Sequence, residues 1–243
     1  MHPVIFSIGP IHIYAYGLLL VLAFFIATVL ATLQARQRGI NPELIWNLAF
    51  ILTISGIIGA RILYVLENLN FYLKNPLEII ILQHGGLSWF GGLALASIFG
   101  IRYLRKKQLA IYGILDLLVP YLALAQSIGR IGCFLNGCCY GRESIWGVYF
   151  PVHNKVLLPT QIYSSLILLL IFIILRLLSS KSLPGGFIFY TYLILYSVKR
   201  FFIEFLRADN RPFIWGLSLF QIICLFLFIF SLIKLFSLRK TRP

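Results

Sequence analysis

Seven long apolar stretches divide this chain and constrain its fold more than any other feature. They cover residues 11–33, 44–66, 87–103, 110–130, 157–178, 185–206 and 213–234. An α-helix needs about 20 apolar residues to cross a bilayer, so each stretch is a candidate transmembrane helix, although the third is short and rich in glycine. The sequence therefore predicts an all-α fold, a polytopic membrane helix bundle of about seven transmembrane helices, with residues 1–243 forming a single transmembrane domain.

The composition indicates that lipid is the solvent for much of the chain. Hydrophobic residues make up 60% of the sequence and charged residues 12%, whereas a soluble domain carries roughly a quarter charged residues. The net charge of +14 does not indicate nucleic-acid binding, because Lys and Arg fall in short clusters between apolar stretches. We expect no nucleic-acid partner. We expect no cleavable targeting segment either, since the run 11–33 is too long for a signal-peptide core.

The distribution of Lys and Arg between the loops predicts the orientation. One set of loops holds twelve: Arg36, Arg38, Arg102, Arg105, Lys106, Lys107, Arg176, Lys181, Lys234, Arg239, Lys240 and Arg242. The opposite set holds seven: Lys74, Arg142, Lys155, Lys199, Arg200, Arg207 and Arg211. The positive-inside rule then places the C-terminus in the cytoplasm, and the N-terminus and an outer-face loop of about 131–156 outside. Four of the seven outward charges fall within 199–211, which calls for a local cause.

Charged residues within the apolar stretches are the first candidates for function, because a charge at membrane depth costs roughly 2.5–3.5 kcal/mol on insertion scales. They are Arg61, Asp116, Arg130 and Arg200. For Arg61 and Asp116 we favour interhelical ion pairs or hydrogen bonds that fix the bundle. Asp116 and Arg130 lie 14 residues apart on one helix, roughly four turns, so they are not expected to pair.

The segment 129–141, GRIGCFLNGCCYG, is the most informative in the chain. Its glycines are expected to break a helix at the outer interface and to free backbone N–H groups for an anion. An arginine beside such a turn can grip a phosphate through two parallel hydrogen bonds, which suits Arg130 and a phospholipid headgroup. The alternative is an interfacial arginine that reaches lipid phosphate without catalysing anything.

Two further patterns suggest a lined interior. Tyr192, Tyr196, Arg200 and Glu204 repeat every four residues and share one helix face, although the last two could form no more than an i,i+4 pair. Tyr14 and Tyr16 lie where an aromatic belt also places tyrosines. The Gly-Gly pairs at 85–86 and 91–92 suggest close helix packing or backbone approach to a lipid chain. The apolar piece within 70–86 is too short to cross and is expected to be re-entrant or interfacial.

Taken in order, these pieces resemble one family. The matching elements are Tyr16-Gly17, Gly59-Ala60-Arg61, the segment 85–92, Asp116, Gly129-Arg130 to Gly141, Pro159-Thr160-Gln161-Ile162-Tyr163, Tyr196 and Arg200-Phe201 to Glu204. The sequence resembles the prolipoprotein diacylglyceryl transferases, seven-helix bacterial membrane enzymes. The resemblance implies a location in the bacterial inner membrane and transfer of the diacylglyceryl group of phosphatidylglycerol to the lipobox cysteine of a prolipoprotein signal peptide.

The resemblance also implies the roles of individual residues. Arg130 and Arg200 are expected to grip the phosphate. The other residues expected to line, orient or approach the substrates are Tyr16, Tyr196, Asn136, Gly141, Arg61, Glu204, Gly91 and Gly92. No cofactor and no metal ion are implied.

The sequence departs from the family's usual pattern at several positions. Cys133 replaces Asn, Cys138 replaces Glu, Leu158 stands where a His often precedes the Pro, and Phe90 replaces a His before the second Gly-Gly pair. His84, at the outer interface, is the candidate replacement base because it can titrate near neutral pH. Alternatively, departure of the phosphate dominates the barrier and no dedicated base is needed.

The cysteines leave other interpretations open. Cys133, Cys138 and Cys139 could form a thiol centre in a divergent paralog with another lipid or thiol acceptor. A metal site with His153 or His84 is disfavoured because no Cys-x-x-Cys spacing supports it. Small-residue packing at a tight turn is favoured for these cysteines. A non-enzymatic lipid-binding or transport protein is a third class, weakened by the lack of paired repeats.

Overall fold

The computed structural model describes residues 4–8, 11–81, 85–209 and 212–240. The helices in these ranges are α1 (Ala15–Gln37), α2 (Pro42–Glu67), α3 (Leu69–Lys74), α4 (Trp89–Lys106), α5 (Ile111–Asn136), α6 (Thr160–Leu178), α7 (Phe187–Leu206) and α8 (Leu219–Lys240). Two antiparallel hairpins accompany them: β1 (Val4–Ile8) with β2 (Ile11–Tyr14), and β3 (Glu143–Phe150) with β4 (Lys155–Leu157).

The helices confirm an all-α polytopic membrane fold. Seven of them have 18 or more residues and follow the order of the seven apolar stretches. Five, namely α1, α2, α5, α6 and α8, are long and apolar enough to cross a membrane. The remaining two, α4 and α7, each carry three charged residues, so the predicted count of seven spans is not confirmed.

Two predicted boundaries were wrong. The first apolar stretch begins as strand β2, and its helix starts only at Ala15. The outer loop was placed too early, because α5 runs through Gly129 and Gly132 and ends at Asn136. Gly132 tolerates the helix because it packs closely: a β-carbon there would lie 3.4 Å from the Cα atom of Tyr16. The break comes at Gly137, whose φ of 76° favours glycine.

One compact unit comprises Thr32–Ile114, and in it α2 packs closely against α4. A β-carbon on Gly91 would lie 2.3 Å from the carbonyl oxygen of Gly59, and one on Gly59 would lie 2.4 Å from that of Gly91. Two backbones can approach this closely only where neither residue carries a side chain. The close packing predicted from the Gly-Gly pairs is therefore confirmed for Gly91, and the contact is between two helices.

Arg61 of α2 organises the segment that precedes α4. Its buried guanidinium donates five hydrogen bonds to backbone carbonyls, and it lies 5.3 Å from the centre of the Tyr72 ring. The acceptors are the carbonyl oxygens of Glu78, Ile79, Ile81, Gly85 and Gly86. Each of the five guanidinium N–H groups can therefore donate to a backbone carbonyl. This agrees with a role for Arg61 in fixing the bundle.

The other compact unit comprises Met1–Ala31 and Leu115–Pro243. Its core joins α5, α6 and α7 through buried residues that include Val119, Ala123, Leu168 and Ile188. Helix α8 packs on α7. A buried polar pair adds specificity within this apolar packing, since the Ser127 hydroxyl donates to the carbonyl of Ser165 at 2.8 Å.

Asp116, near the start of α5, clamps the start of α7. Its buried carboxylate accepts hydrogen bonds from the N–H groups of Gly186 (2.6 Å) and Phe189 (2.7 Å). A carboxylate is stabilising at a helix N-terminus, where unpaired N–H groups and the helix dipole present positive charge. The prediction that Asp116 fixes the bundle is thus confirmed, with backbone N–H groups as its partners.

Candidate active site

Four cationic side chains collect at one end of α5 and α7. Arg130 belongs to the last two turns of α5, Lys199 and Arg200 to the second half of α7, and Arg207 directly follows α7. Lys199 is within electrostatic reach of the other three. Three of the four basic residues that the orientation rule left unexplained between 199 and 211 belong to this cluster, and the fourth, Arg211, lies outside the described residues.

Two carboxylates offset only part of this charge. Glu204, buried in α7, lies 2.9 Å from the guanidinium of Arg200 and accepts a 3.1 Å hydrogen bond from the Ser218 hydroxyl. Asp209 pairs with Arg207 through two guanidinium nitrogens. Burial lowers the pKa of Arg207, but the hydrogen bonds that its guanidinium donates to the Asp209 carboxylate outweigh this effect and hold the pKa above its usual value. Four cations and two carboxylates leave a net charge of +2.

Of the four cations, Arg130 has the fewest ion-pair and hydrogen-bond partners among the described protein groups. Among the residues that the structure describes, none forms an ion pair or a side-chain hydrogen bond with its half-buried guanidinium. Lys199 is buried, donates to the Ser164 hydroxyl at 3.0 Å, and lies 4.7 Å from the ring centre of Tyr196. Charges held away from water need partners, so this arrangement favours an anionic ligand.

The chain after α5 is fastened to the start of α6. Gln161 donates to the carbonyl of Cys138 at 2.6 Å, and Thr160 donates to the carbonyl of Cys139 at 2.7 Å. Gly141 follows this turn, and a β-carbon added to it would lie 2.7 Å from the β-carbon of Leu158. The space beside Gly141 is therefore filled by the protein itself, and its close backbone approach is to protein rather than to a lipid.

The same segment gathers three thiols beside Arg130. The sulfur atoms of Cys133, Cys138 and Cys139 all lie within 4.8 Å of one another. Hydrogen bonds from the other two thiols, together with nearby Arg207 and Arg130, hold the pKa of the Cys139 thiol below its usual value.

Tyr16 of α1 and Asn136 border this thiol cluster. Tyr16 is within electrostatic reach of Arg130 and of all three sulfur atoms. Its side chain is 40% exposed, so it is available to a ligand. The Asn136 side chain is within hydrogen-bonding reach of the Cys138 thiol.

A groove of about 490 Å³ runs between α6 and α7. Its walls are mainly aliphatic, and its polar residues are Tyr163 and Lys199. An apolar groove bordered by Lys199 matches the acyl chain of a phospholipid, with a cationic residue next to it for the anionic headgroup.

The structure brings most of the predicted site residues together in one compact unit. These are Arg130, Arg200, Tyr16, Tyr196, Asn136, Glu204 and Gly141. Arg61, Gly91 and Gly92 belong to the other unit, where they hold loop carbonyls and helix α2. His84 lies outside the described residues.

Sequence reasoning missed Lys199 and Arg207 as members of the site, because it counted them as orientation charges. The signal was available for Lys199, a second charge inside an apolar stretch. No such signal marks Arg207, which lies outside the apolar stretches. It reaches the site because its backbone pairs with Gly141 in an isolated β-bridge.

Fold and site together define a multi-pass membrane protein with a partly buried cluster of cationic side chains. The model of the family described as prolipoprotein diacylglyceryl transferase matches residues 3–237. The chain belongs to this family of transferases.

Individual relatives cover nearly the whole chain. It is 38% identical over 239 residues to the phosphatidylglycerol–prolipoprotein diacylglyceryl transferase of Clostridium tetani, covering 96% of both chains. It is 35% identical to the second such enzyme of Clostridium perfringens, over 100% of this chain and 97% of that one. The enzyme of Bacillus cytotoxicus is 33% identical, over 96% and 91% of the two chains.

Proposed function

We propose that this protein transfers the diacylglyceryl group of phosphatidylglycerol to the lipobox cysteine thiol of prolipoproteins, the first step of lipoprotein maturation. The observation that carries the proposal is the half-buried guanidinium of Arg130, which has no ion-pair partner among the described residues and lies in a cluster of net positive charge. Family membership supports it, since the relatives are named for phosphatidylglycerol and prolipoprotein as substrates.

The proposed reaction is an alkylation of sulfur. The cysteine thiolate attacks the glyceryl carbon that carries the phosphate, a carbon–sulfur bond forms, and the carbon–oxygen bond to phosphate breaks. Glycerol phosphate leaves with the electron pair, and the thiol proton passes to a base or to water. Because the phosphodiester becomes a monoester, negative charge grows on the leaving group during the reaction.

The cationic cluster is suited to this change of charge. Arg130 and Arg200 can each present two parallel N–H donors to phosphate oxygens, and the Lys199 ammonium adds a point charge nearby. Fixed donors in a poorly solvated site stabilise developing charge without reorganising, which is commonly the largest contribution to catalysis. Glu204 holds Arg200 in place through the 2.9 Å ion pair.

We propose the bacterial inner membrane as the location, with the N-terminus and the active site at the outer face and the C-terminus in the cytoplasm. The excess of Lys and Arg in the opposite loops supports this orientation. The groove beside Lys199 would admit an acyl chain from the bilayer while the headgroup meets the arginines. The phospholipid is then held in the bilayer by its acyl chains and the precursor by its apolar signal peptide, which presents the lipobox cysteine from the outer side.

Substitution of the arginines in cells depleted of their own transferase tests the assignment. We expect Arg130→Ala and Arg200→Ala to lower lipidation of a reporter precursor by about 10²–10³-fold or more, the range for loss of one charge-stabilising donor. Arg102→Ala is the matched control, because Arg102 is exposed in the last turns of α4. Full complementation by both active-site variants would overturn the site assignment.

A reconstituted assay tests the function itself. The purified protein is incubated with phosphatidylglycerol labelled in its acyl chains and a lipobox peptide, and the products are separated by thin-layer chromatography. We expect label on the peptide with release of glycerol phosphate, and no transfer to a peptide with Ser for the lipobox Cys. Transfer to another acceptor would identify a divergent enzyme, and binding without any transfer would identify a lipid-binding protein.

A further inference from the structure

The three clustered thiols have no part in the reaction as proposed so far. Their sulfur atoms lie within 4.8 Å of one another, whereas the fourth cysteine, Cys224, is buried elsewhere in α8. Two ligands of one tetrahedral zinc ion, with Zn–S bonds of about 2.3 Å, are about 3.8 Å apart. The sulfur pairs are therefore at most about 1 Å wider than in a zinc site.

The backbone holds the cluster in this form. Cys133 is in the last turn of α5, and the N–H of Cys138 returns to the Cys133 carbonyl at 3.1 Å. Cys139 has a left-handed φ of 61°, which is uncommon for a residue with a β-carbon and turns its side chain back toward the other two. Gln161 and Thr160 fix the carbonyls of Cys138 and Cys139. A strained, fastened turn bearing three soft donors is a preorganised site.

The donor set identifies the class of ion. Three thiolates select a thiophilic ion such as Zn²⁺ over hard cations such as Mg²⁺. Three protein ligands also leave one tetrahedral position open, which is the arrangement of catalytic rather than structural zinc sites. Three thiolates around Zn²⁺ carry one negative charge in total, and Arg130 and Arg207 lie close enough to offset it.

We propose that Cys133, Cys138 and Cys139 bind Zn²⁺, and that the open fourth position takes the lipobox thiol of the precursor. The second half rests on the proposed transferase function. The lack of Cys-x-x-Cys spacing does not exclude this site, because a helix end followed by a left-handed turn brings Cys133 together with Cys138 and Cys139.

Zinc would supply the activation for which the sequence offers no histidine at Phe90. A thiol that coordinates Zn²⁺ loses its proton, which passes to solvent. The bound thiolate attacks the glyceryl carbon, the carbon–sulfur bond forms, and glycerol phosphate leaves with the electrons of the broken carbon–oxygen bond. The product is a neutral thioether, a weaker ligand than a thiolate, so it leaves the metal. No group is oxidised or reduced.

Metal content of the purified full-length protein tests the site without reference to activity. After loading with Zn²⁺ and removal of excess metal, we expect about one zinc per chain, as in a three-ligand site. Cys133→Ser, Cys138→Ser and Cys139→Ser should each lose most of it, and Cys224→Ser, the matched control, should retain it. Equal zinc in the triple variant and the wild type, or a disulfide within the cluster of the protein purified without oxidant, would overturn the proposal.

A second measurement does not depend on variants that could misfold. In the wild-type protein, Zn²⁺ should protect three thiols from a thiol-specific reagent, and a chelator should restore their reaction. Replacement of zinc by Co²⁺ should give sulfur-to-cobalt charge-transfer absorption. Unprotected thiols together with no such absorption would also overturn the site.

The Co²⁺ protein tests the open position. Addition of a lipobox peptide should shift the cobalt spectrum, and the peptide with Ser for Cys should not. Zinc removal should lower the lipidation rate at least tenfold, with recovery on adding Zn²⁺. Cysteine-dependent zinc with a rate unaffected by its removal would overturn the activation step while the transferase function stands. Cysteine-dependent zinc in a protein that lipidates no precursor would overturn the proposed function and leave the metal site.

Discussion

Methyl groups added at the contact between α2 and α4 should destabilise the protein in a graded manner. A β-carbon on Gly91 would lie 2.3 Å from the carbonyl oxygen of Gly59, one on Gly92 would lie 3.0 Å from that of Gly56, and one on Gly56 would have no atom closer than 3.9 Å. Ordinary C···O contacts are about 3.3–3.6 Å. The helices must therefore separate by about 1 Å for Gly91→Ala, by about 0.3 Å for Gly92→Ala, and not at all for Gly56→Ala.

These displacements translate into free energies of unfolding. A gap of 0.5–1 Å loses roughly a quarter to a half of the dispersion energy across a contact, and overpacking typically costs about 1–3 kcal/mol. We expect a loss of about 2–3 kcal/mol for Gly91→Ala and below about 1 kcal/mol for Gly92→Ala. Gly56→Ala should be neutral or slightly stabilising, because Ala is favoured over Gly in a helix by up to about 1 kcal/mol.

Thermal unfolding in detergent, followed by helical circular dichroism, measures the series. For a chain of this size about 1 kcal/mol shifts the midpoint by roughly 2–4 °C, so Gly91→Ala should melt about 4–12 °C below the wild type. A midpoint for Gly91→Ala equal to that of Gly56→Ala would refute the packing argument. Lipidation kinetics add a check on the predicted substrate contact. A raised KM with an unchanged midpoint would assign Gly91 to the substrate.

Three further changes have definite expected outcomes. Arg61→Lys removes the guanidinium fork but keeps the positive charge. It should lower the melting midpoint and make residues 75–88 accessible to protease. An unchanged cleavage pattern would contradict the role assigned to Arg61. Asp116→Ala leaves the N–H groups of Gly186 and Phe189 unpaired and should lower the free energy of unfolding by about 2–4 kcal/mol. Asp116→Asn keeps one acceptor and should lower it less. Equal melting midpoints for the two variants would count against the clamp. Glu204→Gln raises the net charge of the site, so inhibition by glycerol phosphate should strengthen roughly tenfold, from about 1–2 kcal/mol of added attraction. An unchanged inhibition constant would place Glu204 too far from the phosphate.

The sequence predicts those parts of the molecule that depend on helical periodicity and on the cost of charge in lipid. The four-residue spacing of Arg200 and Glu204 places them on one face, and the structure shows their ion pair. The apolar position of Asp116 indicated a buried partner. The sequence could not reveal which, because the partners are backbone N–H groups 70 or more residues away.

Features that depend on backbone turns escaped prediction. Gly129 and Gly132 suggested a break because glycine weakens isolated helices, but the helix continues through both, and at Gly132 it packs against Tyr16. The short strands β1 to β4 show no strong alternation of polar and apolar residues. The thiol cluster depends on the left-handed conformation of Cys139. A cysteine in the sequence does not indicate that conformation.

The clamp formed by Asp116 sets the axial register of Arg130 and Arg200, the two arginines proposed to bind phosphate. Helices α5 and α7 leave the clamp in the same direction, because α6 returns the chain between them. Arg130 lies 14 residues beyond Asp116, and Arg200 lies 14 residues beyond Gly186, so each is raised about 21 Å from the clamp. A slip of one residue would offset the two guanidinium groups by about 1.5 Å and rotate one by about 100°. The relative position of the two guanidinium groups is thus fixed at the opposite ends of α5 and α7.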